Sequence, residues 1–126
     1  IEIVKIFPGM RPETLGAMLR IPGVRGVVLE TYGAGNAPTA DWFVRAVGRA
    51  VERGAVVLNV TQCQGGSVSM VMYETGRRLQ ECGVVSGRDI TTESAVTKLM
   101  YLLGQNWDGD RVRDMLGRSI RGEITV

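Results

Sequence analysis

Six consecutive residues near the middle of the chain, Ala55–Val60 (AVVLNV), carry five apolar side chains without alternation. A strand that faces water on one side alternates apolar with polar. A strand apolar on both sides belongs in a sheet covered above and below, the pattern of parallel sheets in α/β proteins. Gly54 precedes the run as a helix stop and a polar, Gly-rich stretch follows it, so the chain offers a strand of buried type between a helix and a loop.

The rest of the sequence keeps that rhythm. Strands are expected at Ile1–Phe7, stopped by Pro8-Gly9, at Val24–Glu30, at Ala55–Val60 and, briefly, at Val84–Ser86. Pro12 suits a first helical turn, and Leu15, Met18 and Leu19 give that helix a buried stripe before Ile21-Pro22-Gly23 ends it. Thr39 is placed to cap a helix running to Arg53, with Phe43, Ala46, Val47, Ala50 and Val51 inward. A helix over Val71–Cys82 ends at Gly83. Thr91 or Thr92 caps a helix to Leu103, with Val96, Leu99, Met100 and Leu103 inward, and Asp108 caps a last one ending by Arg118, with Val112, Met115 and Leu116 inward. Alternation of this kind specifies right-handed crossovers. The expected fold is α/β, a four-stranded parallel sheet flanked by helices in a three-layer sandwich of Rossmann-like or flavodoxin-like type. At 126 residues it is a single domain. Because the chain opens within a strand and without an initiator Met, it is expected to be cut from something longer.

Charge and composition exclude several classes. The net charge is +2, too small for a nucleic-acid groove. Thirteen Arg against two Lys are spread over helix faces among acids, a pattern of solvated surface and subunit-interface salt bridges. The apolar runs are strand-sized, so no membrane contact is expected. Without a single His, the usual zinc sets cannot be assembled, and neither a metal nor a cofactor is expected. Cys63 and Cys82 lack Cys-x-x-Cys spacing and read as free thiols in a reducing compartment.

Catalysis needs a nucleophile with a base beside it, and the commonest base is absent. Neither Lys is close in sequence to Cys63, and Glu30, Glu74 and Glu93 form no pair by spacing. Self-sufficient catalysis is not expected. Two segments remain, Leu29–Pro38 (LETYGAGNAP) and Asn59–Val68 (NVTQCQGGSV), each leaving the carboxyl end of a strand, the rim where α/β sheets bind ligands. Gly33-Ala34-Gly35 opens like a dinucleotide fingerprint but lacks its third glycine, and the next strand ends on Asn59 rather than an acid, so NAD is discounted. The two glycines can still present backbone N–H groups beside a helix N-terminus, with Asn36 adding an amide, although a simple tight turn explains the same residues. Thr61, Gln62, Cys63, Gln64 and Ser67 crowd hydrogen-bonding groups onto the second segment. Two such loops on one rim favour a small polar ligand such as an amino acid.

Beyond these local readings, KIFPGMRPETL, TYGAGNAP, RGAVVLNVTQC, ECGVVSGRDITTESAVTKLMYLLGQ and RGEITV occur in order along the chain. Together they resemble the C-terminal domain of cytoplasmic (type I) L-asparaginases. The resemblance implies that the parent protein hydrolyses L-asparagine to L-aspartate and ammonia, in the cytoplasm, as a homo-oligomer, either dimer or tetramer. Its nucleophilic Thr and second Thr-Asp-Lys group belong to an N-terminal domain that this sequence does not include, so the fragment is expected to be inactive alone. It implies that Asn36 and Tyr73 look toward the neighbouring subunit's active site, and that Glu30, Asn36, Thr61 and Cys63 match an effector site for L-asparagine. Glu30 departs from the pattern: allosteric members carry a basic residue there, able to grip a carboxylate. Related archaeal amidotransferase subunits that make glutaminyl-tRNA, and a binding-only amino-acid module, are the alternative readings.

Overall fold

The computed structural model describes residues 1–7, 9–31, 41–61 and 74–124, with residues 61, 74 and 75 described by backbone alone. Among the described residues nine elements follow one another: β1 (Glu2–Lys5), α1 (Pro12–Leu19), β2 (Gly26–Thr31), α2 (Asp41–Glu52), β3 (Val56–Thr61), α3 (Glu74–Glu81), β4 (Val85–Ser86), α4 (Thr92–Leu103) and α5 (Gly109–Leu116). The four strands are all parallel and lie in the order β1-β2-β3-β4. The three-layer α/β sandwich read from the sequence is therefore the fold. Thr39 and the first residues of the expected third helix, 71–73, lie outside the described residues.

The two faces of the sheet are covered separately. Val4, Val27, Leu29 and Val57 pack with α1, α2 and α3 through Leu15, Leu19, Phe43, Val47 and Leu79. Val28, Val56, Leu58 and Val60 pack with α4 and α5 through Ala95, Leu99, Leu102, Val112 and Leu116. Adjacent residues of β2 and β3 thus alternate between two cores, and this is why Ala55–Val60 has no polar side. Because each strand is added next to the last, the helices of three successive crossovers stack on one face, as right-handed connection requires.

One sequence expectation shifts in detail, and one open alternative is resolved. Met100, expected inward on α4, is 59% exposed. The buried stripe runs instead through Ala95, Lys98, Leu99 and Leu102. Treating a lysine as an outward residue turns the apparent apolar face by one position, and the true stripe follows the i, i+3, i+4, i+7 spacing with Lys98 inside it. Of Thr91 and Thr92, Thr91 is the cap: its hydroxyl accepts from Ser94 N at 3.2 Å. Asp108 likewise caps α5, accepting from Arg111 N at 2.8 Å.

The carboxyl ends of three helices are closed by cations from distant parts of the chain. Arg25 Nη2 donates to Leu103 O at 3.3 Å, Arg53 Nη2 to Leu19 O at 3.3 Å, and Lys98 Nζ to Leu116 O at 3.0 Å. Leu103, Leu19 and Leu116 are the last residues of α4, α1 and α5. Helix ends leave carbonyls unpaired and negatively polarised, so a guanidinium or ammonium there satisfies both needs.

Candidate functional site

The carboxyl ends of β2 and β3 lie side by side, with Glu30 in register with Val60 and Thr31 with Thr61. Since neighbouring strand residues point to opposite faces, the rim has two sides, and each holds a different polar arrangement.

On the α4 side, Glu30 is partly buried at the N-terminus of α4, where Thr92 Oγ1 donates to Glu30 Oε2 at 2.9 Å. Thr92 is the first residue of α4. A helix N-terminus carries partial positive charge, so it favours the carboxylate of Glu30. The acid at this strand end has a local partner in the fold.

On the α1–α3 side, Thr31 and Asn59 have no solvent-exposed surface. Thr31 Oγ1 lies 2.8 Å from Asn59 Oδ1 and 3.2 Å from Val60 O, placed to donate to either. Asn59 Nδ2 is buried without a hydrogen-bond partner among the described residues. A buried amide donor left unpaired costs roughly 1–3 kcal/mol, so this side of the rim has a hydrogen bond to give. Sequence reading did not select Thr31 and Asn59 as site residues. Their signal was available: Asn59 is the one polar residue within an otherwise apolar Ala55–Val60.

Of the residues expected at the site, Glu30 and Thr61 end adjacent strands one register step apart, at positions that alternate to opposite sides of the rim, so the structure does not bring them together. Asn36, Cys63 and Tyr73 lie outside the described residues. Cys82, the described cysteine, is half-buried at the end of α3 and donates its thiol to Leu79 O at 3.1 Å. Burial pushes that thiol's pKa up, which keeps it protonated and unreactive. Among the described residues no group of three or more His, Cys, Asp and Glu is placed to hold a metal ion, and no helix is long and apolar enough to cross a membrane.

A second polar cluster, also missed in the sequence, joins α4 to the chain after α5. Lys98 Nζ lies 2.5 Å from Glu123 Oε2, with both side chains mostly buried. Lys98 also donates to Leu116 O and Arg118 O. Glu123 accepts from the backbone N–H groups of Ile120 and Arg121. Burial by itself would raise the Glu123 pKa; the Lys98 ammonium and the Arg121 and Ile120 amides outweigh it and lower it from 4.5 to about 2. Every donor on Lys98 is spent, so this pair is a fastening rather than a free acid and base.

The geometry thus offers a polar strand rim and no assembled nucleophile and base among the described residues. Comparison with known proteins agrees with its shape. The family described as Glutaminase/Asparaginase C-terminal domain matches residues 1–116. L-asparaginase 1 of Escherichia coli is 42% identical over 125 residues, covering 99% of this chain and 37% of that protein. The crystal structure of L-asparaginase I from Vibrio cholerae superposes with a TM-score of 0.93 at 38% identity, covering 99% of this chain and 37% of the other. One component of the glutamyl-tRNA(Gln) amidotransferase of Methanothermobacter thermautotrophicus is 36% identical over 124 residues, covering 98% of this chain and 28% of that component. The chain therefore spans a little over a third, or less, of the length of these relatives. A parallel sheet wound in one direction, its strand-end wording, and a family match over all five helices together place this chain in the glutaminase/asparaginase C-terminal domain family.

Proposed function

We propose that this domain works as the C-terminal part of an L-asparaginase, a longer cytoplasmic protein that hydrolyses L-asparagine to L-aspartate and ammonia. The observation that carries the reading is the 42% identity to an L-asparaginase over 99% of the chain. The strand order supports an auxiliary role. Ligand crevices in open α/β sheets form where the strand order reverses and neighbouring loops diverge. The order β1-β2-β3-β4 has no reversal, so a ligand at this rim would be enclosed by a second unit.

In this reading an N-terminal domain supplies the nucleophilic Thr and the Thr-Asp-Lys group. This domain pairs subunits into a dimer or tetramer, and Asn36 and Tyr73 complete the neighbouring subunit's substrate site. Glu30, Asn36, Thr61 and Cys63 correspond to an effector position, where the acid of Glu30 opposes a carboxylate ligand.

Ammonia release from L-asparagine, measured on the parent protein and on the isolated domain, tests the proposal. Turnover by the parent and none by the domain is expected. Turnover by the domain, purified free of host asparaginase, would overturn the division of labour. The amidotransferase reading draws on the 36% identity to the archaeal amidotransferase component. Glutamyl-tRNA amidation, with asparagine left intact, would favour it.

A further inference from the structure

The arginines that look scattered in sequence converge in space. Arg20, at the end of α1, and Arg45 and Arg49, one turn apart on α2, line a groove of about 370 Å³ between the two helices. Its floor is apolar, formed by Pro12, Ala46 and the half-buried Trp42. None of the three guanidinium groups makes an ion pair or side-chain hydrogen bond among the described residues, whereas Arg11, Arg78, Arg113 and Arg118 are all paired. Glu13 is the acid in the groove, and it is engaged with Arg11 at 3.4 Å. Asp41, next to Trp42, pairs with Arg78 at 2.8 Å. A chain of net charge +2 thus concentrates three uncompensated cations in one groove.

The backbone makes room for one of them. Gly16 sits mid-helix in α1, where glycine costs about 1 kcal/mol relative to alanine. A Cβ there would lie 3.1 Å from Arg20 Nη1 and 3.3 Å from Nη2. The missing side chain lets the exposed Arg20 guanidinium fold back over Gly16 beside the groove.

We propose that the α1–α2 groove is a docking surface for an acidic polypeptide segment. Guanidinium groups bind carboxylates through paired, planar hydrogen bonds, and Arg and Trp are the side chains that most often dominate protein interfaces. Arg45 and Arg49 are roughly 6 Å apart as i, i+4 neighbours. That spacing matches carboxylates one helical turn apart or two residues apart on an extended strand. The apolar floor selects polypeptide over a phosphate polymer. Trp42, Ala46 and Pro12 need apolar side chains to cover them, and a polyphosphate has none.

A short fluorescein-labelled peptide of alternating glutamate and leucine, titrated into the full chain and followed by anisotropy and by Trp42 emission, tests the proposal. Saturable binding is expected. Arg45→Glu/Arg49→Glu should weaken it at least about tenfold, while the matched charge change Arg77→Glu/Arg121→Glu, on other surfaces, should leave it within about twofold. The binding-linked change in emission should vanish in Trp42→Phe. No saturable binding, equal losses in both double variants, or inorganic polyphosphate held more tightly than the peptide would each overturn the assignment.

Discussion

Thr92 Oγ1 donates to Glu30 Oε2 at 2.9 Å, joining the end of β2 to the first turn of α4 across 62 residues of chain. The carboxylate of Glu30 therefore already occupies the positive end of a helix at the strand rim. A second carboxylate arriving there meets a like charge and a helix end that is no longer vacant.

The first prediction follows from that contact. An effector can shift an equilibrium only by the difference in its affinity for the two states. A millimolar ligand has about 4 kcal/mol of binding free energy in total, and replacing a favourable cation with an acid removes a large share of it. The parent protein's rate is expected to rise hyperbolically with L-asparagine, with a Hill coefficient close to one. A clear sigmoid with a coefficient near the subunit number would defeat the argument from Glu30.

Asn36→Ala in the parent protein is expected to act on function more than on folding. Losing one hydrogen bond to a charged ligand group costs roughly 1.5–3 kcal/mol, or about 10- to 100-fold in kcat/KM. Kinetics and thermal melting on the same preparation check this. Wild-type kinetics with a large drop in Tm would show that Asn36 serves only the turn.

The Lys98–Glu123 pair makes stability depend on acid. The folded pKa of Glu123, about 2, lies below its ordinary 4.5. Its contribution is thus complete above about pH 4.5 and is lost as the pH falls toward 2. Glu123→Gln leaves the Lys98 charge without its counter-ion and should cost about 3 kcal/mol at neutral pH. The variant should also lose less stability than the wild type on going from pH 5 to pH 2.5. Denaturant midpoints measured at both pH values decide it; parallel losses would place the acid sensitivity elsewhere.

Two glycines should differ in a definite order. A Cβ on Gly87 would meet the Asn59 carbonyl oxygen at 2.9 Å and Ile90 at 2.8 Å, where Gly87 N already donates to that carbonyl at 2.8 Å. On Gly26 it would meet the methyl ends of Leu99 and Leu103, each at 2.8 Å. Backbone in a sheet cannot yield as leucine methyls can, so Gly87→Ala should cost about 2–3 kcal/mol and Gly26→Ala about 1–2 kcal/mol. Thermal melts of the two variants that reverse this order would contradict the packing described.

Much of the fold was legible because the chain states it locally. Ala55–Val60 declares a strand covered on both sides, Asp108 caps its helix as read, and glycines follow α2, α3 and α4. Met100 and Lys98 show where local reading fails. Whether a lysine is inside depends on a carboxylate 25 residues away, and Glu123 gives no sign in sequence that it will supply one. The site divides in the same way. The strand ends carrying Glu30 and Thr61 were readable from two apolar runs followed by polar loops. The buried Thr31–Asn59 contact was not, because a register between strands fixes it. Arg20, Arg45 and Arg49 looked dispersed because periodicity within one helix says nothing about which helix will lie beside it.

The clamps on the helix ends bear on how the molecule opens. Leu103, Leu19 and Leu116 are held by residues 78, 34 and 18 positions away. The last turn of an ordinary helix frays by itself, and its amides exchange with solvent far faster than those of the core. Here, releasing the last turn of α1, α4 or α5 also means breaking a contact to another element. Amide hydrogens in those turns should therefore exchange at rates closer to those of the central strands. The domain would open less by fraying at its edges than by cooperative loss of whole layers.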